Sequence, residues 1–182
     1  MKIVSAKEKY EQTVIGQMEK EFGYDNKMAV PRIEKVVVNV GIGKISKEGD
    51  KVDEVVHSLT TITGQKAVKT KAKKAIAGFK LREGMDVGVK VTLRGNRMWQ
   101  FIDRLINATL PRTRDFQGIT KRSVDSHGNM NIGIKEHAIF PEISPEKVRN
   151  LFGLQVTVTS TAKNQKEGAF LFKQLGFPLK ND

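Results

Sequence analysis

Cysteine is absent from the 182 residues, which removes disulfides, thiolate zinc sites and cysteine nucleophiles together. A reducing compartment suits such a chain. Long apolar runs are missing as well. No stretch approaches the roughly 20 residues of a membrane span, and the lysine-bearing N-terminus is not followed by an apolar signal core. The expectation is a soluble, cytoplasmic protein with no membrane partner. Internal repeats and low-complexity linkers are also lacking, and a chain of this length can bury a core without metal or disulfide support. A single domain spanning 1–182 is expected.

The usual signatures of small-molecule chemistry are thin. "VVVNVGIGK" (36–44) looks at first like a strand feeding a phosphate-cradling loop. A Walker loop, however, needs glycine five positions before the Gly43-Lys44 pair and Ser or Thr after it, where Val38 and Ile45 stand. The dinucleotide fingerprint needs a third glycine where Ser46 stands. Gly41 and Gly43 then mark a bend at a strand end. His57, His127 and His137 show no metal-ligand spacing, and Asp125-Ser126-His127 is not a triad by adjacency. The sequence offers no catalytic residue, cofactor site or metal site, and reads as a non-enzyme.

What the chain does have is positive charge. Thirty-two Lys and Arg against 20 Asp and Glu give a formal +12. Such an excess costs self-repulsion, and a polyanionic partner is the usual physical reason for keeping it. The charge is not evenly spread. No acidic residue lies between Glu54 and Glu83, a window holding Lys66, Lys69, Lys71, Lys73, Lys74, Lys80 and Arg82. The first 25 residues, by contrast, are nearly balanced.

Periodicity supplies the elements. Ser5 and Glu8 match a capping box, Gly23 sits at a helix end, and Tyr10, Val14, Ile15, Met18 and Phe22 form one stripe. Residues 33–42 read as a buried strand. Val52, Val55, Val56, Leu59 and Ile62 define a helix over 50–63, closed by Gly64. Residues 65–83 carry no clear element signal and read as a basic loop. "VGVKVTLRG" (87–95) alternates as a half-buried strand. Asn96 caps a helix that Pro111 stops. A hairpin is expected around "SHGN" within 118–137, a proline-stiffened loop over 139–146, a strand over 154–160 and a helix over 165–176. Without an even βα rhythm, the fold class is α+β: an antiparallel sheet with helices packed on one face and the other face open.

Asn39 stands out on the first strand. Period-two geometry puts it with Val37 and Gly41, opposite Val36, Val38 and Val40. Thr92 and Arg94 likewise point away from the apolar side of their strand. Two strands thus offer polar faces, with a polycationic segment between them in sequence. That is the composition of a sheet that receives RNA.

"NVGIG", "TGQKAVKTKAKKAIAGFKLREG", "GVKVTLRG", "LPRTRDFQGI" and "EHAIFPEI", in this order, resemble the bacterial large-subunit ribosomal protein five family, which anchors 5S rRNA in the central protuberance. The resemblance runs from about residue 5 to residue 180. It implies that Asn39, Gln65 and Thr92 face 5S rRNA while Lys66, Lys69, Lys71 and Arg94 neutralise phosphates. It further implies that the loop from Lys73 to Gly84 reaches the peptidyl-site tRNA, through Lys73, Lys74, Phe79, Lys80 and Arg82. Phe79 either stacks on an exposed surface or plugs the core beneath the loop. The region Ile134 to Ile143, with Ile134, Lys135, Glu136, Phe140 and Glu142, is implied to meet a small-subunit protein at an intersubunit bridge. The remaining implied partner is 23S rRNA of the large subunit. Two other classes stay open on the residues alone: a free RNA-binding regulator, although no aromatic-rich RRM consensus appears, and an enzyme with an unrecognised site.

Overall fold

The structure is a computed structural model that describes residues 4–43, 45–46, 48–79, 81–114, 116–144, 146 and 148–180. Its elements, in chain order, are α1 (Ala6–Lys9), α2 (Ile15–Phe22), β1 (Ile33–Gly41), α3 (Gly49–Thr63), β2 (Val68–Lys71), β3 (Asp86–Leu93), α4 (Gly95–Arg104), α5 (Leu110–Arg112), β4 (Met130–Ile134), β5 (Leu154–Ser160) and α6 (Gln165–Leu175). The strands form one antiparallel sheet in the order β2-β3-β1-β5-β4. The α+β class with an antiparallel sheet is as expected. Among the described residues, no helix is long and apolar enough to cross a membrane.

The chain divides into two compact units. One comprises Met1–Val36, Arg94–Ile132 and Thr157–Asp182; the other comprises Val37–Leu93 and Gly133–Val156. In the first unit, both halves of the Ser5–Glu8 capping box form, and Gly23 closes α2 at φ 68°. A π-helical stretch, Tyr10–Val14, joins α1 to α2, and the stripe it carries buries Val14 and Met18. Ala6 N–H donates to the Asp103 carboxylate at 2.7 Å, tying α1 to α4.

Pro111 does not end its helix. A π-helical stretch, Leu105–Thr109, follows α4, and the chain continues through Pro111 to Arg112 in α5. Leu110 N–H donates to the Leu105 carbonyl. Proline removes a donor from the ladder, and here the widened turn lies directly before it, a usual place for such an irregularity. The expected hairpin around "SHGN" shrinks to one bridge, Val124 with Met130. The Asp125 carboxylate accepts the His127 and Asn129 amides, and Gly128 takes φ 76°. The 3-10 helix Lys121–Ser123 directly precedes Val124 and ends the pairing there.

In the second unit, Val52, Val55, Leu59 and Ile62 bury one face of α3, and Gly64 ends the helix at φ 67°. That face covers β3, whose Val89, Val91 and Leu93 are buried, as are Val38 and Val40 of β1. The opposite side of the sheet carries no such layer of buried apolar residues among the described residues of this unit.

The segment 65–83 departs from expectation. It holds an edge strand, β2, paired antiparallel with β3 in the register Val68↔Lys90, Lys69↔Val89 and Thr70↔Gly88. Beyond it the pairing continues. Ala72 N–H donates to Met85 O at 2.8 Å, and Ile76 and Leu81 bridge at 3.0 and 3.1 Å. The basic "loop" is the distal end of a hairpin, turning at the short 3-10 helix Ala77–Phe79.

Candidate nucleic-acid interface

Strand register decides which residues share a surface. On β1, Val37 is half-buried and Asn39 exposed, while Val36, Val38 and Val40 are buried. On β3, Lys90 is exposed and Thr92 half-buried, opposite Val89 and Val91. Partnered residues of an antiparallel pair project to the same side, so Val68 and Thr70 of β2 share the side of Lys90 and Gly88. Asn39, Thr92, Lys90 and Thr70 therefore stand on one open face of the second unit. Thr70 and Lys90 are additions to the expected set. Lys90 is legible in the alternation of "GVKVTLRG"; Thr70 is not, because nothing in "VKTK" announces a strand.

Gln65 reaches the same neighbourhood. Its Nε2 donates to the Thr92 carbonyl at 3.0 Å. The turn that carries it is fixed by Thr63, whose hydroxyl donates to Leu59 O at 2.7 Å and Gln65 O at 3.1 Å. Gln65 thus pins the chain after α3 to the end of β3, holding Thr92 at a defined height. Lys66 follows it, exposed.

Lys69 goes elsewhere. Its partner Val89 lies on the helix-covered side, and its Nζ donates to Asp53 of α3 at 2.8 Å. The Asp53 carboxylate raises the ammonium's pKa above its ordinary value. Lys69 is therefore not brought together with Asn39 and Thr92. Lys71 is exposed beyond a register irregularity between Thr70 and Lys71. Arg94 belongs to the first unit and is exposed, with its guanidinium donating to Glu34 at 3.2 Å. That contact holds the Glu34 carboxyl below its usual range, helped by Lys35.

The hairpin end is a different surface. Lys73, Lys74 and Arg82 are exposed. Phe79 is 75% exposed and Ile76 47%, so Phe79 does not plug the core. Lys80 lies outside the described residues. A groove of about 680 Å³ runs beside the hairpin end, lined by Phe79, Leu81, Leu151, Phe152, Gly41 and Gly43 among others. Nothing stands within 4 Å of a Cβ placed at either glycine. The Glu54 carboxylate fixes the far wall, accepting Arg149 N–H at 3.2 Å and Asn150 Nδ2–H at 2.6 Å. The Asn150 amide is the chief reason its pKa lies below the ordinary value.

The expected bridge segment splits by burial. Ile134 and Phe140 are 4% and 2% exposed, so their side chains belong to the core. Lys135 and Glu136 are exposed, and Glu142 is half-buried. Behind them His137 is buried and stacked on Phe152, with ring centroids 3.8 Å apart. Burial pushes the imidazole pKa down.

Comparisons with known proteins bear on the whole chain. Residues 26–82 match the family model described as ribosomal protein L5, and residues 86–179 match the model of that ribosomal family's C-terminus. The large ribosomal subunit protein uL5 of Halothermothrix orenii is 48% identical over 172 residues, covering 94% of this chain and 96% of its own. That of Nitratidesulfovibrio vulgaris strain DP4 is 51% identical over 171 residues, with the same coverages. That of Kocuria rhizophila is 48% identical over 176 residues, covering 97% and 93%.

Proposed function

The chain belongs to the ribosomal protein L5 family, and on that basis we propose that it seats 5S rRNA on the open face of its sheet. Membership makes it a structural constituent of the large ribosomal subunit rather than an enzyme. Its place is the cytoplasmic ribosome, within a ribonucleoprotein whose other partner on this subunit is 23S rRNA. The whole chain, 1–182, acts as one 5S rRNA-binding domain of the central protuberance.

The observation that carries this reading is the grouping of Asn39, Thr92 and Lys90 on the face that α3 does not cover. Asn and Thr side chains each offer both donors and acceptors, suited to base edges and ribose hydroxyls. Lys90, Lys66 and Lys71 supply phosphate neutralisation beside them, and Arg94 is a further exposed cation. Lys69, already paired with Asp53, contributes less. Gln65 acts by holding Thr92 in place.

The hairpin end carries a second contact, to the peptidyl-site tRNA. Its support is the exposure of Phe79 together with Lys73, Lys74 and Arg82; an exposed ring stacks on a base while cations meet the backbone. Lys80 adds a further cation in sequence. The intersubunit bridge to a small-subunit protein uses Lys135 and Glu136, with Glu142 at its edge, over the buried base of Ile134 and Phe140.

Titration of 5S rRNA with Asn39→Ala and Thr92→Ala tests the main proposal. Each loses roughly 1–2 kcal/mol of binding, the scale of a hydrogen bond to a polar partner taken out of water. Wild-type affinity in both well-folded variants would overturn it.

A further inference from the structure

The open face contains a feature that no sequence motif announces. Thr70 of β2 and Gly88 of β3 are direct register partners. A Cβ on Gly88 would stand 2.7 Å from Thr70 Oγ1 and 3.7 Å from Asn39 Oδ1. The missing side chain therefore lets the Thr70 hydroxyl lean across β3 toward the Asn39 amide on β1. Two polar groups from strands that are not neighbours are brought over one glycine. Gly88 is itself buried beneath them, although it lies on the side of the sheet that otherwise carries exposed residues.

We propose that Thr70 and Asn39, paired across Gly88, form a two-pronged subsite that holds a ribose of the bound RNA, with Thr70 Oγ1 hydrogen-bonded to a 2′-hydroxyl. The proposal rests on the assignment of this face to RNA. A neutral hydroxyl–amide pair matches a sugar hydroxyl, which is both donor and acceptor. A phosphate fits less well, because the Asn39 atom turned to this point is the acceptor Oδ1, to which a phosphate oxygen has nothing to donate, whereas Lys90, the next residue of β3 to project on this side, is a natural phosphate partner. Thr70 thereby becomes a residue that distinguishes RNA from DNA, and Gly88 a positioning residue that acts only through Thr70.

The test uses the full chain and a 5S rRNA transcript. Thr70→Val keeps shape and strand propensity but removes the hydroxyl; Thr70→Ser keeps the hydroxyl. Thr70→Val is expected to weaken binding about five- to tenfold, and Thr70→Ser to restore most of it. Gly88→Ala would set a Cβ 2.7 Å from Thr70 Oγ1, with Val40 O at 3.4 Å and Asn39 Oδ1 at 3.7 Å, and is expected to weaken binding to a similar extent by turning the Thr70 hydroxyl away. Interference mapping with transcripts carrying scattered 2′-deoxynucleotides gives the specific readout. At least one 2′-deoxy position that impairs binding to the wild-type protein is expected to lose its effect against Thr70→Val. Wild-type affinity in Thr70→Val overturns the subsite, as does weakened binding with an unchanged interference pattern. If Asn39→Ala and Thr92→Ala also bind as wild type, it is the assignment of the face that fails.

Discussion

The two surfaces of the second unit proposed to meet RNA are built on opposite principles. The sheet face around Asn39 lies on strands whose other side is core: Val38, Val40, Val89 and Val91 are all buried. Its polar groups are held at fixed height by strand pairing and by Gln65 bonding to Thr92 O. Among the described residues, the hairpin end beyond Ala72 has no such backing. Phe79 and Ile76 are exposed, and the described segment is held by a few main-chain bonds at Ala72, Ile76 and Leu81. One surface is pre-organised and the other projects. Pre-organised groups lose little freedom on binding and can read detail, whereas a projecting tip is suited to reach a partner that comes and goes.

The largest effect should come from breaking the backed surface. Asn39→Ala should cost roughly 1–2 kcal/mol in 5S rRNA affinity while the thermal melt stays near wild type, because the side chain is exposed. Deleting residues 76–82 should do the reverse of what a core plug would do. Melting should shift by less than about 1 kcal/mol in stability, the scale of surface changes, 5S rRNA binding should persist, and subunits should hold peptidyl-site tRNA less well. A sharp fall in melting temperature would show that the hairpin end is part of the core.

Charge offers a finer division. Lys90→Gln should lower the magnitude of the slope of log K against log salt by about 0.7–0.9, the value for one phosphate contact. Lys69→Gln should change it much less, since Asp53 already neutralises that ammonium from 2.8 Å. Equal effects would place Lys69 on the RNA.

The smallest effect concerns stability near the proposed bridge segment. Burial lowers the His137 pKa in the folded protein, so protonation favours the unfolded chain. Its contribution is complete above the ordinary histidine pKa of about 6.5 and is lost as pH falls below it. Replacing His137 with Phe should flatten that part of the stability profile, measured by denaturant melts between pH 7 and pH 5. An unaltered profile would mean that His137 stays neutral without cost.

The same contrast between backed and unbacked segments governs what the sequence reveals. Elements with an apolar period are legible: the α3 stripe, the β3 alternation, and Asn39 facing away from Val38 and Val40. The edge strand β2 is not, because Val68 is 59% exposed and "VKTK" has no buried side to leave a pattern. Its register is therefore invisible, and with it the turn of Lys69 toward Asp53 and of Thr70 toward Asn39. The exposure of Phe79 is undecidable for a related reason, since an aromatic residue between small and basic neighbours fits a tip or a plug equally well. Pro111 misleads because the π-helical stretch before it carries the helix on. Ile134 and Phe140 fall in a segment whose resemblance marks a surface, although their own side chains are buried while Lys135, Glu136 and Pro141 are exposed there.

The two sides of the sheet can be separated directly. Lys90 and Lys69 lie near one another on paired strands, but Lys90 projects on the open side and Lys69 on the side of α3. A benzophenone amino acid at each position in turn, irradiated in the complex with 5S rRNA, reports which side meets the RNA. A covalent adduct is expected from position 90 and none from position 69. Cross-linking from position 69, with none from position 90, would put the RNA on the helix-covered side and overturn the assignment of the open face.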